Sequence, residues 1–70
     1  MDKVFLNSES LNAVAYDNDE NTLLVEFNNG KAYRYLDVPK RVYEGFMSTS
    51  LKEQNFNKNI KDRYPFQRLS

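Results

Sequence analysis

The first half of the chain alternates apolar and polar side chains with the two-residue period of a half-buried β-strand. Residues 22–27 show this alternation most clearly, residues 11–16 precede them as a second strand, and residues 31–36 follow as a third. Short polar loops join the three segments, and residues 4–6 offer a short additional edge strand. The pattern therefore predicts a three-stranded antiparallel meander.

The hairpin turn at residues 28–30 allows two registers. A three-residue loop with a left-handed glycine pairs Phe27 with Lys31 and puts Tyr33 and Tyr35 on the apolar face of the hairpin. A two-residue turn shifts the pairing by one residue and moves both tyrosines to the opposite face. We prefer the three-residue loop because it gathers the large apolar side chains on one side of the sheet.

The apolar period changes to four residues after Pro39. Val38, Val42 and Phe46 recur at this spacing, which predicts a helix over residues 39–47 with proline in its first turn. Asp37 precedes this helix and places a negative charge near its positive end.

A second helix is predicted from about Leu51, where Ser50 and Glu53 have the spacing of a capping box. It presents Phe56, Ile60 and Tyr64 on one face, is stopped by Pro65, and leaves residues 66–69 as an extended tail. The fold class is therefore α+β, with the three-stranded meander followed by two C-terminal helices that pack on its apolar face.

Composition limits the chemistry available to the chain. The 70 residues indicate one small domain over residues 1–70 with a thin core, and the sequence contains no cysteine and no histidine. Thiolate and imidazole catalysis and the commonest metal ligands are thereby excluded, so we predict no enzyme activity and no cofactor.

Asp17, Asp19 and Asn21 match the start of a calcium loop, but Thr22 and Asn28 replace its glycine and final glutamate. A solvated turn without metal is the prediction there.

The charges are unevenly distributed along the chain. Residues 1–37 hold seven acidic and three basic side chains, and residues 38–70 hold three acidic and seven basic ones. The two halves either attract each other within the fold or present a basic surface to a polyanion.

No apolar run has the length of a membrane span and the N-terminus lacks a signal peptide, so we expect a cytoplasmic protein that does not enter a membrane.

Tyr33-Arg34-Tyr35 is the segment with the clearest binding chemistry. Tyrosine rings on a strand can stack on the bases of single-stranded nucleic acid while a guanidinium meets phosphate. The structural interpretation is that both rings pack in the core, and the preferred register favours it because the same face buries Leu23, Val25 and Phe27.

At these tyrosines the sequence resembles the KTSC family, a short domain found at the C-terminus of some lysyl-tRNA synthetases and as small stand-alone bacterial proteins. The resemblance covers residues 8–69. After Ser50, where the family usually carries a glycine, this chain has residues 51–54, which suggests a longer second helix. The positions that carry the resemblance are Ser10-Leu11, Val14-Ala15-Tyr16-Asp17, Leu23, Val25, Phe27, Gly30, Tyr33, Tyr35, Val38-Pro39, Val42-Tyr43, Ser50, Phe56-Asn57, Ile60 and Tyr64-Pro65-Phe66.

The attachment of the family to a tRNA-charging enzyme implies RNA as a partner, tRNA included. Our leading hypothesis is therefore a non-catalytic RNA-binding module with no small-molecule substrate. The alternative is a protein-interaction module or homodimer that uses a sheet edge or the apolar face around Leu24, Ala32 and Leu36. The predicted RNA contacts are Arg34 and Tyr35 at the bases, and Lys40, Arg41, Lys58, Lys61, Arg63 and Arg68 at phosphates.

Overall fold

The computed structural model describes residues 3–69, which form one five-stranded antiparallel sheet and two helices. The strands lie in the order β1-β2-β3-β4-β5, and both helices are inserted between β4 and β5. The elements are β1 (Lys3–Phe5), β2 (Leu11–Asp17), β3 (Thr22–Phe27), β4 (Ala32–Tyr35), α1 (Lys40–Ser48), α2 (Lys52–Asn59) and β5 (Phe66–Arg68).

The α+β class is confirmed, but the prediction of three strands followed by C-terminal helices is wrong. The residues expected as an extended tail form β5, which pairs antiparallel with β4. Leu36 N donates to Pro65 O at 2.8 Å and Leu69 N donates to Ala32 O at 2.8 Å, which secures both ends of this pairing. Three residues are too few to show a period, and the partner strand lies some thirty positions earlier, so the pattern did not indicate β5.

The three-residue hairpin loop is confirmed. Phe27 N donates to Lys31 O at 2.8 Å, and Gly30 adopts a φ of +91°, which other residues rarely tolerate. Val25 therefore lies opposite Tyr33 and Leu23 opposite Tyr35, so the tyrosines share the face that the helices cover.

That covered face holds the core. Tyr35 is only 3% exposed, and Leu23 and Val25 are fully buried beside it. The other members of the cluster come from β2 and the helical segment: Leu11, Val14, Tyr16, Val38, Phe46, Phe56 and Ile60. The opposite face of the sheet is open and carries Glu26, which forms an ion pair of 2.8 Å with Lys3.

The second helix is shorter than predicted and starts differently. Leu51 occupies the N-cap position without a side-chain cap, so the predicted capping box is wrong. Glu53 instead accepts hydrogen bonds from Ser10, at 3.1 Å from its backbone N and also from its hydroxyl, and thus ties α2 to the start of β2. Ile60 N makes the last regular helical bond, to Phe56 O, and the helix ends there because Lys61 N also bonds to Phe56 O instead of Asn57 O.

Neither α1 nor α2 has the length or apolar content that a transmembrane helix needs, over the part of the chain that the structure describes.

The entry to α1 is fixed by Tyr16. Its hydroxyl donates to Val38 O at 2.6 Å, and its ring stacks on Tyr43 with centroids 4.9 Å apart. Val38 N donates to Asn21 O at 2.8 Å, while Asp37 takes a left-handed φ of 58° to make this corner. The β2 strand, the 18–21 loop and α1 are thereby joined at one point.

We expect Tyr35→Ala to lower the free energy of unfolding by about 3–5 kcal/mol, because it removes a buried ring from the centre of the core. Phe5→Ala is the matched control, since Phe5 is 71% exposed and its loss should change stability by about 0.5 kcal/mol or less. Urea unfolding followed by circular dichroism measures both values. Equal effects of the two substitutions would contradict the placement of Tyr35.

Stability should fall as the pH rises above 10. Burial raises the pKa of Tyr16, Tyr35 and Tyr43 above the ordinary value of 10.0, with Asp17 and Glu44 adding to the effect at Tyr16. The unfolded chain then releases phenolic protons at a pH where the folded chain still holds them, so alkali favours unfolding. Tyr16→Phe should make the decline shallower in denaturant titrations over this range, and a flat profile in the unsubstituted protein would contradict the prediction.

Candidate functional site

The predicted RNA contacts do not form one surface. Five of the eight lie in two clefts beside α2 or on the open face of the sheet. Arg41 and Arg63 line the first cleft, Lys61 and Tyr35 line the second, and Arg34 lies on the open face.

The first cleft lies between α1 and α2 and is called here the helix cleft. Its volume is about 500 Å³. It brings Arg41 of α1 together with Arg63 of the turn after α2, two exposed cations separated by more than twenty residues in sequence. The helix cleft is lined by Arg41, Val42, Gly45, Asn55, Asn59, Arg63 and Tyr64.

Two asparagines from one face of α2 supply the neutral polar groups of the helix cleft. Asn55 and Asn59 are one helical turn apart and therefore project side by side. Asn55 Oδ1 is buried and has no hydrogen-bond partner among residues 3–69. An unpaired buried carbonyl oxygen is costly, so this atom is poised to accept a hydrogen bond from a bound molecule.

Arg63 is held in place by a backbone contact. Its Nε donates to Lys58 O at 3.3 Å, which anchors the guanidinium beside the end of α2. Its terminal nitrogens have no hydrogen-bond partner among residues 3–69, and a guanidinium suits the two oxygens of a phosphate. Lys58 is itself exposed close by, and Lys40 is exposed at the first position of α1.

The second cleft lies on the other side of α2 and is called here the aromatic cleft. Its volume is about 390 Å³, and its floor is made of aromatic rings from β3, β4, α2 and β5. Lys31 and Lys61 stand at its rim with one acidic residue, Asp62. The aromatic cleft is lined by Ser10, Phe27, Asn29, Lys31, Tyr33, Tyr35, Phe56, Asn57, Lys61, Asp62 and Phe66.

The rings of this cleft pack edge to face. Tyr33 meets Phe27 at a centroid distance of 5.6 Å and Phe66 at 5.4 Å, with interplanar angles of 75° and 82°. Tyr35 meets Phe56 at 5.6 Å and 84°. These are favourable aromatic geometries, and they fix the floor as a rigid apolar surface.

Tyr35 is part of the core and not of a free stacking surface. Its ring is 3% exposed, so the expectation that it stacks on a base does not fit the structure. Its side chain nevertheless borders the aromatic cleft. Burial raises the pKa of Tyr35, and Tyr33 and Asp62 raise it further, so the phenol stays protonated at neutral pH.

Arg34 is separated from the basic helical segment. It is exposed on the open face, where it lies between Leu24 of β3 and Gln67 of β5. Arg68 points the other way because it lies opposite Tyr33 in the β4–β5 pairing. Arg34 therefore lies on the face of the sheet opposite the helices, and not on the same surface as the helix cations.

The acidic loop is built as a turn. Asp17 Oδ1 accepts hydrogen bonds from Asp19 N at 2.9 Å and Glu20 N at 3.3 Å, as aspartate commonly does in turns. Within residues 3–69 no cluster of three or more acidic side chains is arranged to hold a metal ion.

A family model described as the KTSC domain matches residues 7–64, which is most of the chain. The chain belongs to the KTSC family. The resemblance seen at Tyr33, Tyr35 and the flanking positions is thereby confirmed.

Two curated relatives show the settings in which similar sequences occur. A lysine–tRNA ligase of Nostoc punctiforme is 39% identical over 56 residues, which are 80% of this chain and 10% of the ligase. An uncharacterized protein of Stutzerimonas stutzeri is 34% identical over 64 residues, which are 91% of this chain and 90% of that protein. This KTSC domain thus spans about a tenth of the ligase and nearly the whole of the small relative.

The crystal structure of a KTSC domain protein from Yersinia pestis has the same fold. It superposes with a TM-score of 0.91, is 28% identical, and the match covers 99% of this chain and 97% of that one. The sheet and helix arrangement described above is therefore that of the KTSC family.

Sequence reasoning missed several residues of both clefts. Asn55 and Asn59 are spaced to share one helix face, but asparagines on a polar face carry no signal without a partner element. Phe66 was assigned to the tail, and only the β4–β5 pairing places it against Tyr33. The overlooked residues are Asn55, Asn59 and Tyr64 in the helix cleft and Lys31, Asn57 and Phe66 in the aromatic cleft.

Proposed function

We propose that this KTSC domain is a non-catalytic RNA-binding module whose RNA-binding surface is the helix cleft. The observation that carries the proposal is the meeting of Arg41 and Arg63 around Asn55, whose buried Oδ1 has no partner among residues 3–69. RNA is present in the cytoplasm, and we propose that the module acts there.

The chemistry of the helix cleft suits the backbone of RNA. Two guanidinium groups from different elements can hold one phosphate between them or two successive phosphates. The unpaired oxygen of Asn55 accepts a hydrogen bond, and a ribose 2′-hydroxyl or an exocyclic amino group donates one. Tyr64 at the rim adds a ring against which an unstacked base can lie.

The relatives support RNA rather than another polyanion. One relative carries the name lysine–tRNA ligase, an enzyme whose name gives tRNA as what it acts on. Because this chain matches only about a tenth of that enzyme, we assign RNA contact and not ligation to the KTSC domain. A small relative that matches over 90% of its length suggests that the module also acts on its own.

The test is the salt dependence of RNA affinity in single arginine variants. For single-stranded RNA, each lost phosphate contact should reduce the slope of log K against log salt by about 0.7. We expect Arg41→Gln and Arg63→Gln to lower the slope by about this amount each and to weaken binding at every salt concentration. Fluorescence anisotropy with labelled tRNA and labelled oligouridylate measures both quantities.

Arg34→Gln is the matched control because it removes the same charge from the open face of the sheet. Its slope should stay close to that of the unsubstituted protein. The absence of binding at low salt, or an equal loss in Arg34→Gln and Arg41→Gln, would overturn the proposal.

A second candidate function is self-association through the β1 edge. Phe5 is 71% exposed on this outer strand and projects from the open face, next to Lys3. An exposed ring beside an unpaired strand edge favours strand-to-strand dimerisation.

Sedimentation velocity over a range of protein concentrations tests this candidate. A dimer that forms through β1 should shift to monomer on Phe5→Ser, because the substitution removes the apolar contact without touching the covered core. A mass that stays monomeric at the highest concentrations would rule out self-association through this edge.

A further inference from the structure

The aromatic cleft has a composition that the proposed role of the helix cleft does not explain. Clusters of aromatic rings usually lie inside a protein core. In this cleft, Phe66 is 54% exposed although its ring contacts both Tyr33 and Tyr35. A protein that leaves such a surface open keeps an apolar floor in contact with water, which is unfavourable unless a ligand covers it.

The floor has the right shape for one flat ring. Rings packed edge to face at 5.4–5.7 Å give rigid walls that a planar group can lie against, with no side-chain rearrangement needed on binding. The volume of about 390 Å³ falls near the lower end of the ~300–1,000 Å³ that small-molecule sites occupy.

The rim has the polar groups that a heterocycle requires. Asn57 presents an amide, which offers a donor and an acceptor side by side, as the edge of a nucleobase does. Asn29 Oδ1 already accepts a hydrogen bond from Lys31 N at 3.1 Å, so Asn29 contributes its amide NH2 as a donor. The side chain of Tyr35 also borders the cleft, although Tyr35 is only 3% exposed.

The charges at the rim favour an anion. Lys31 of the hairpin loop and Lys61 after α2 border the cleft against the single carboxylate of Asp62, which leaves one excess positive charge. A planar heterocycle joined to a phosphate matches this combination of aromatic floor, amide rim and lysines.

We propose that the aromatic cleft binds one nucleotide, with the base on the floor beside Phe66 and Tyr33 and the phosphate at Lys31 and Lys61. The nucleotide is either free or one unit of a bound RNA strand. For a nucleotide of a bound RNA strand, the inference deepens the proposed function and rests on it. For a free nucleotide, the inference is independent of the proposed function.

The test compares two aromatic substitutions on opposite faces. Phe66→Leu keeps apolar bulk but removes a flat ring of the aromatic cleft, and Phe5→Leu does the same at an exposed site on the open face. Lys61→Gln removes one rim cation. Each variant is first checked for an unchanged near-ultraviolet circular dichroism spectrum, so that a loss of binding cannot be a loss of folding.

Binding is followed by amide chemical-shift changes in NMR titrations with AMP and UMP, and by anisotropy with labelled oligoribonucleotides. We expect shifts at Lys31, Asn57 and Lys61, and an affinity about fivefold weaker or more in Phe66→Leu, since stacking on one base accounts for at least this factor. Lys61→Gln should weaken binding as well, and Phe5→Leu should leave it unchanged.

The outcomes separate the two proposals. Mononucleotide binding that depends on Phe66, without RNA binding, supports a free nucleotide and overturns only the RNA function. RNA binding that depends on both Phe66 and Arg41 supports a nucleotide of the strand. RNA binding that Phe66→Leu leaves unchanged, with no mononucleotide shifts in the cleft, overturns the inference and leaves the helix cleft standing.

A peptide partner would also give a distinct result. Shifts of the same amides with N-acetylphenylalaninamide but not with AMP or UMP would mean that the cleft takes an apolar side chain. That result overturns the inference.

Discussion

The register of the β3–β4 hairpin is the constraint on which the rest of this KTSC domain depends. The left-handed Gly30 closes a three-residue loop, and Phe27 N is thereby bonded to Lys31 O. A shift of one residue would turn Tyr33 and Tyr35 to the open face and remove one of the two rings that pack against Phe56. One turn therefore decides both where the core lies and where an aromatic surface is available.

The same register explains why the two tyrosines differ although they share a strand face. Tyr35 lies at the end of β4 away from the hairpin loop, packs against Phe56 of α2 and is buried, whereas Tyr33 lies nearer the loop and is only partly covered. Their spacing acts first as a signature of the fold. In the proposed nucleotide site, this strand contributes through the partly exposed Tyr33 and not through the buried Tyr35.

Local patterns predicted much of this molecule because they depend on neighbouring residues. The alternation in β2 and β3, the hairpin loop and the amphipathic α1 all follow from short-range rules. The β5 strand, the Ser10–Glu53 link and the pairing of Arg41 with Arg63 across the helix cleft each join positions more than twenty residues apart. Charge counts showed that the second half is basic, but they contain no information on which cations meet. For this reason the prediction from sequence grouped Arg34 with the helix cations, although the sheet lies between them.

The α2 helix gives the two clefts a common wall. Asn55 and Asn59 face one side of it, and Asn57 and Lys61 face the other, as expected for residues about half a turn apart around a helix. In the proposed complex, a chain of nucleotides crosses α2, with its phosphates in the helix cleft and one base in the aromatic cleft. The hydrogen bonds from Ser10 to Glu53 fix the start of α2 against β2, so both walls are held by the same element that the core already immobilises. In this arrangement the rigidity that the aromatic core gives to α2 is also what would orient a bound strand.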